Sequence, residues 1–153
     1  MSETELEISN IEHVLKDASI RPTSIRIMVL KEIISYDTPF TLAEMEDRLD
    51  TLDKSTLFRT LTLFLHHHIL HEIDNGSGSK LYCRCVCSSS QHASHLHFTC
   101  VSCHKTFCIK NIDCSQIPRP ENFEIMEINC VMKGLCPDCK YSYKNHIADE
   151  RSF

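Results

Sequence analysis

The sequence is poor in several features that mark common protein classes. Its 153 residues include no tryptophan and only three glycines, and no run of 18 apolar residues occurs, so we expect no membrane-spanning segment and no membrane partner. Acidic residues dominate the first 20 positions, with no basic start before an apolar block, so we expect no secretory signal and a cytoplasmic protein. The formal net charge of -5, taken alone, argues against a nucleic-acid-binding protein.

Cysteine is absent from residues 1–80, and all ten cysteines of the chain follow them. Without a secretory signal, this many cysteines favour metal or redox chemistry over a disulfide scaffold. Charge changes at the same place, from 8 basic and 14 acidic residues in 1–80 to 8 basic and 7 acidic residues in 81–153. The break predicts two domains, residues 1–80 and 85–153, with a turn and linker at about 75–84 that contains two of the three glycines.

The first half of the sequence has the pattern of short helices followed by a hairpin. Apolar residues recur at helical spacing over residues 4–18, and Thr23 is expected to cap a second helix. Thr41 and Glu44 have the capping-box spacing for a third helix. Residues 70–73 and 80–82 flank a Gly/Ser turn like two strands. This order predicts a winged helix, in which the last helix before the hairpin enters the major groove of DNA.

The fourth predicted helix, capped by Asp53 or Ser55, has two unlike faces. One face is apolar, with Leu57, Leu61, Phe64 and Leu65. The opposite face is small and polar with one arginine, as a DNA-reading helix requires, and consists of Ser55, Thr56, Arg59 and Thr62, with Phe58 at the border. An ordinary amphipathic surface helix with a solvated face is the alternative interpretation of the same pattern.

The strongest motif of the second half is a pair of Cys-x-x-Cys segments, Cys100 with Cys103 and Cys136 with Cys139. Each segment lets two thiolates reach one ion from a tight turn, and two such segments complete a closed tetrahedral zinc site. This site is expected to hold a small domain together, because metal-binding energy becomes folding energy. Reduced buried thiols or a redox-active pair are the alternatives.

A second group of metal-binding residue types lies outside these segments. His95 and His97 would face the same side of a strand, because residues i and i+2 share a strand face. Further donors are His71 on the first hairpin strand, Cys83 and Cys85 on one strand face, and Cys108. At the junction of two domains, such a mixed set could report metal occupancy by changing the interdomain angle. Packed cysteines and surface histidines are the alternative, and Cys87, Cys114 and Cys130 have no clear partner.

Four segments, in the right order, resemble the ferric uptake regulator (Fur) superfamily of metal-dependent repressors. They begin at Arg21, Ser55, His95 and Gly134 and read R-P-T-S-I-R, S-T-L-F-R-T-L, H-L-H-F-T-C-V-S-C and G-L-C-P-D-C. The resemblance implies an α+β homodimer with an N-terminal winged helix and a small C-terminal α/β dimerisation domain that holds a four-cysteine zinc site. It also implies an AT-rich palindromic DNA operator and a second, exchangeable metal at the hinge. Basic character is then expected to be local, around Arg21, Arg26, Lys54 and Arg59.

Within the superfamily, the ligand pattern is most similar to that of the zinc-sensing (Zur) type. Phe40 and Cys83 stand where iron sensors usually have a histidine and a carboxylate. His71, Cys85, His95 and His97 match the zinc-sensor pattern, with Cys83 and Cys108 as further candidate ligands. The resemblance therefore implies a zinc-responsive repressor, with an iron- or peroxide-responsive regulator as the alternative within the family.

Two further hypotheses assign the protein to other functional classes, an enzyme or a protein-binding adaptor. A zinc enzyme would need an open coordination position and a nearby glutamate, and no His-x-Glu or His-Glu-x-x-His segment occurs, so we expect no enzyme. A zinc-ribbon adaptor that binds only protein would leave the winged helix without a purpose, and failure to bind any DNA in the presence of zinc would support it.

Overall fold

The computed structural model describes residues 3–84, 95–126 and 128–142 of the chain. The chain divides into two compact units, residues 1–92 and residues 93–153. Helices and a small sheet form the first unit and a second sheet forms the other, which confirms the predicted α+β class. Within the described residues, none of the helices combines the length and the apolar character that crossing a bilayer requires.

Four helices and a three-stranded sheet make up the first unit. The helices are α1 (Glu3–Asp17), α2 (Ser24–Ile34), α3 (Leu42–Arg48) and α4 (Lys54–His66). The strands are β1 (Phe40–Thr41), β2 (Leu70–Ile73) and β3 (Leu81–Arg84), antiparallel and in the order β1-β3-β2. The turn between β2 and β3 contains Gly76 and Gly78, whose positive φ angles other residues rarely adopt. Short helices followed by a hairpin give the predicted winged-helix order.

Three helix starts in this unit have the caps that the sequence predicts. Thr23 caps α2, and Thr41 forms a capping box with Glu44 at the start of α3. In that box the Glu44 N–H donates to Thr41 Oγ1 at 3.2 Å. Of the two candidates before α4, Asp53 is the cap, because its Oδ1 accepts the Thr56 N–H at 2.9 Å. The caps satisfy backbone donors that a helix start leaves unpaired.

The apolar face of α4 lies at the centre of the core of the first unit. Leu57, Leu61 and Phe64 have no exposed surface, whereas Leu65, which was predicted for the same face, is only partly buried. The remaining core side chains come from the other helices and the sheet, and include Ile11, Leu15, Ile20, Val29, Leu30, Ile33, Phe40, Met45, Leu49, Ile69, Leu70 and Tyr82. Burial of each large apolar side chain contributes about 1.5–3 kcal/mol. The first unit therefore has a hydrophobic core of its own.

A second three-stranded sheet organises the other unit. Its strands are β4 (His95–Cys100), β5 (Thr106–Asp113) and β6 (Val131–Gly134), and a 3-10 turn (Cys114–Gln116) follows β5. The central strand is β4, antiparallel to β5 and parallel to β6. Residues 137–142 are helical. Among the described residues of this unit, Leu96 is the only large aliphatic side chain that is buried, so its apolar core is small.

Candidate metal centre

Four cysteines gather at one end of the second sheet. Cys100 is the last residue of β4, Cys103 lies in the turn after it, and Cys136 and Cys139 follow β6. Because β4 and β6 are parallel neighbours, both Cys-x-x-Cys segments leave the sheet at the same end. The four Sγ atoms all lie within 4.8 Å of one another, as the predicted four-cysteine site requires.

The spacing of the sulfur atoms fits a tetrahedral ion. The Sγ atoms of Cys103 and Cys136 are 3.9 Å apart. A zinc ion with Zn–S bonds of about 2.3 Å needs tetrahedral edges of about 3.8 Å. Gly134 assists the approach of the strands, because a Cβ on it would lie 3.2 Å from Cζ of Phe98. Gly134 is therefore a packing residue at the end of β6.

Backbone N–H groups stabilise the first thiolate of this cluster. The N–H groups of Cys103 and Cys136 lower the pKa of Cys100 to about 6, and the Cys136 N–H donates to Cys100 Sγ at 3.4 Å. The Ser102 side chain lowers the pKa of Cys139. The Cys136 thiol and burial outweigh this effect and raise the pKa of Cys139 to about 12. One thiolate thus forms readily, while four together need the positive charge of a bound ion. Four sulfur donors leave no open position, which is typical of a structural zinc site.

The second unit also holds a pair of buried histidines on β4. The exposed fractions of His95 and His97 are 8% and 3%, and their ring centroids lie 4.5 Å apart. Their spacing of two residues predicted this shared face. Cys108 lies opposite His97 in the register of β4 and β5. The backbone N–H of His97 donates to the Cys130 carbonyl at 2.9 Å, and this hydrogen bond holds β4 in place at His97.

The hairpin of the first unit holds a second pair of soft donors. His71 on β2 lies directly opposite Cys83 on β3 in the antiparallel register. Cys83 is buried and His71 is partly buried. Cys85, the cysteine that the resemblance favoured, and Cys87 lie outside the described residues. A hairpin register counted outward from the turn at residues 76–78 places Cys83, a further candidate ligand in the sequence, opposite His71.

The exposed face of α4 carries the residues predicted to read DNA. Ser55, Phe58 and Arg59 are exposed, with 49% of the Phe58 surface accessible. The hydroxyls of the two threonines are already hydrogen-bonded within the helix. Thr56 Oγ1 donates to Asp53 at 2.6 Å, and Thr62 Oγ1 donates to the Phe58 carbonyl at 2.8 Å. Their contact with a ligand would therefore come chiefly from methyl groups or from exchanged hydrogen bonds.

A concave groove runs between the start of α2 and the face of α4. Its volume is about 310 Å³, and it brings together three of the predicted residues, Arg26, Thr56 and Arg59. Arg26 Nη1 donates to the Arg21 carbonyl at 2.7 Å, which connects it to the segment before α2. The groove is completed by residues not predicted as contacts, Thr23, Ile25, Thr60 and Leu63. Lys54, also predicted here, forms an ion pair with Glu46 at 3.4 Å.

Comparison with known proteins identifies relatives over most of the chain. The sequence model described as the ferric uptake regulator family matches residues 17–132. The ferric uptake regulation protein of Synechococcus elongatus is 29% identical over 100 residues. That alignment covers 62% of this chain and 65% of the relative, so the chain spans less than two thirds of its length.

Solved structures share the fold at low sequence identity. A zinc uptake regulator complexed with zinc and DNA has a TM-score of 0.68 and is 15% identical, covering 94% of this chain and 99% of that one. The ferric uptake regulator from Pseudomonas aeruginosa with manganese has a TM-score of 0.60 and is 18% identical, covering 82% of this chain and 97% of that one. These likenesses concern the fold.

Proposed function

Because the chain belongs to the ferric uptake regulator family, a family of transcription regulators and not of enzymes, we propose that it is a zinc-responsive DNA-binding repressor. In this proposal the protein is a homodimer that binds a palindromic, AT-rich operator. Zn²⁺ occupies the four-cysteine site permanently and a second, regulatory site reversibly. The family also supports the expectation that the chain is not an enzyme.

The observation that carries zinc as the signal is the chemistry of the two donor pairs. His71 and Cys83 face each other on the hairpin, and His95 and His97 share a face of β4. Each pair supplies two ligands, whereas a tetrahedral ion takes four, so we propose that the two pairs hold one ion together. Imidazole and thiolate favour zinc, while iron(II) and manganese sites more often include carboxylates.

The regulatory effect follows from where the two pairs lie in the sequence. His71 and Cys83 belong to the unit that contains α4, and His95 and His97 belong to the unit that contains the four-cysteine cluster. Zinc would supply a closed coordination shell that joins these ligands. The joined units of a dimer would then present both α4 helices at one half-site spacing. A coupling of about 1–3 kcal/mol, or about 5–150-fold in DNA affinity, is ordinary for allostery.

In this proposal, the residues of the groove and of α4 make two kinds of contact with DNA, one charged and one apolar. Arg26 and Arg59 line the groove and supply two positive charges for phosphate or for a guanine edge. Phe58 is exposed on the same helix and can contact a thymine methyl group. This combination supports double-stranded DNA as the partner over a protein partner.

The test is DNA affinity as a function of free metal. Duplexes are first selected from a random pool by the zinc-loaded full-length protein, and fluorescence anisotropy is then measured in zinc, iron(II) and manganese buffers. We expect zinc to tighten binding about 5–150-fold. A Cys83→Ser/His97→Ala variant should lose this response while retaining one structural zinc per chain, and His66→Ala, which alters an exposed histidine, should keep it.

Two outcomes would contradict parts of the proposal. A full zinc response in the double variant would show that the regulatory ligands lie elsewhere, and a loss of response in Cys85→Ser alone would favour the cysteine that the resemblance indicated. Tighter DNA binding in iron(II) than in zinc would assign the protein as an iron-responsive regulator. That second candidate is supported by the name of the Synechococcus elongatus relative.

A further inference from the structure

The groove between the start of α2 and the exposed face of α4 offers strong hydrogen-bond donors and few acceptors. Its charged side chains are Arg26 and Arg59, and none of the described residues that line it is acidic. Arg26 is held in place, because its Nη1 donates to the Arg21 carbonyl at 2.7 Å. A guanidinium has five N–H donors, so this bond leaves others for a ligand. The groove is therefore suited to a ligand that is rich in acceptors.

The wall of the groove between the two arginines is apolar. Ile25 and Leu63 contribute aliphatic side chains to it. Two threonines of the wall use their hydroxyl groups within α4, since Thr60 Oγ1 donates to the Thr56 carbonyl at 2.8 Å and Thr56 Oγ1 donates to Asp53 at 2.6 Å. Their methyl groups are what remains for a ligand to contact. The groove thus combines two cations with an apolar surface in a volume of about 310 Å³.

The parts of a DNA duplex differ in how well they match this combination. The major-groove edges of adenine and cytosine present an amino donor, for which the groove has no acidic acceptor. The guanine edge presents only acceptors but carries no net charge. A phosphate presents only acceptors and also carries a full negative charge, so it offsets the repulsion between two guanidiniums that share one groove. Charge therefore favours the phosphate.

We propose that the groove binds one sugar–phosphate unit of the DNA backbone, with the phosphate on Arg26 and Arg59 and the deoxyribose against the apolar wall. This inference rests on the proposed DNA partner and decides between the phosphate and the guanine edge. Phosphate contacts position a protein on the duplex without reading sequence. Base reading by α4 is then left to side chains outside the groove, among which Ser55 and the half-exposed Phe58 are accessible.

An apolar wall beside the sugar also has a consequence for the kind of nucleic acid that is bound. Ribose differs from deoxyribose by the 2′-hydroxyl, which is both a donor and an acceptor. Against methyl groups and the aliphatic chains of Ile25 and Leu63, this hydroxyl would lose water without gaining a full set of hydrogen bonds. The groove should therefore favour deoxyribose at this one position.

The experiment replaces single phosphates of a selected duplex by neutral methylphosphonates, one linkage at a time. Binding of the zinc-loaded full-length protein is measured by fluorescence anisotropy. We expect one linkage in each half-site at which neutralisation weakens binding by about 10-fold. In Arg26→Ala and in Arg59→Ala, neutralisation of the same linkage should change affinity by less than about twofold, because the contact is already lost. Lys31→Ala, which alters an ion pair outside the groove, should keep the parent pattern.

A second probe places a single ribonucleotide at each position of the same duplex. The sugar that adjoins the critical linkage should weaken binding by about 5-fold, and the other positions should have smaller effects. Leu63→Ser, which adds a hydroxyl to the wall, should reduce this penalty while leaving the critical linkage unchanged. An equal penalty at every sugar would overturn the placement of the deoxyribose.

Three results would overturn the phosphate assignment. In the first, no single linkage is critical although the parent binds the duplex. In the second, the effects of neutralisation and of both arginine variants simply add, which would place the phosphate elsewhere. In the third, Arg26→Ala and Arg59→Ala weaken binding only to duplexes that retain one particular G·C pair, which would assign the groove to a guanine edge. Failure of the zinc-loaded parent to bind any duplex would instead refute the proposed function, and this inference with it.

Discussion

Loss of the four-cysteine ion should unfold one unit of the protein and spare the other. We consider Cys136→Ser, because Cys136 is 2% exposed, its Sγ lies 3.9 Å from that of Cys103, and its N–H stabilises Cys100 Sγ. Serine keeps the size of the side chain and removes the thiolate. The expected result is an unfolded sheet β4–β5–β6 beside an intact winged helix.

The magnitude follows from comparing the ion with the apolar core. Leu96 is the one large aliphatic side chain buried among the described residues of the second unit, and its burial contributes about 1.5–3 kcal/mol. Structural zinc contributes about 10–16 kcal/mol in small zinc domains, so one ligand in four accounts for about 2.5–4 kcal/mol. A small unit has only about 3–5 kcal/mol to lose. The first unit has 15 buried core side chains and does not depend on the ion.

Hydrogen exchange measured by mass spectrometry reports the two units separately. In the parent, the Cys100 N–H donates to the Lys105 carbonyl at 2.9 Å and the Val101 N–H to the Gly134 carbonyl at 2.8 Å. Peptides that contain these amides should lose protection in Cys136→Ser, while peptides of α4 keep it. Cys108→Ser is the matched control and should behave as the parent. Retained protection of β4 in Cys136→Ser, with zinc chelated, would refute the argument.

Three further predictions concern the first unit. Arg59→Ala should weaken DNA binding by about 1–3 kcal/mol and lower the number of ions released on binding by about one. Lys31→Ala, which removes only a surface ion pair, should change neither quantity. Fluorescence anisotropy at several salt concentrations measures the affinity and its salt dependence. Leu61→Ala should lower the free energy of unfolding by about 2–5 kcal/mol in urea titrations. The Thr56 side chain and backbone N–H hold the pKa of Asp53 below its ordinary value, so the stability from this cap is complete above that value and is lost as pH falls through the lowered pKa. Asp53→Asn, which caps without titrating, should make protection of the α4 amides less sensitive to acid between ~pH 5 and ~pH 2.

Features that depend on neighbours in the sequence could be predicted best. The capping box of Thr41 and Glu44 and the cap of α4 involve residues three apart, and both are present. The four-cysteine cluster was equally predictable, because each Cys-x-x-Cys turn sets two ligands locally and a single ion must satisfy all four. In these cases a short segment carries nearly all of the necessary information.

Features that depend on pairing between distant segments could be predicted less well. The partner of His71 depends on the register of the hairpin, and a shift of two residues along β3 keeps the same face while exchanging one cysteine for another.

The net charge of -5 can be reconciled with DNA binding by following the cations of the first unit. Five of the eight cations in residues 1–80 lie in ion pairs with carboxylates, namely Lys16, Lys31, Arg48, Lys54 and Lys80. The other three, Arg21, Arg26 and Arg59, form no such ion pair with a described carboxylate, and two of them line the groove beside α4. Paired charges largely cancel at a distance, so the positive field concentrates at this groove. The salt dependence of binding should therefore correspond to about three contacts per winged helix, and Lys54 should contribute little to it.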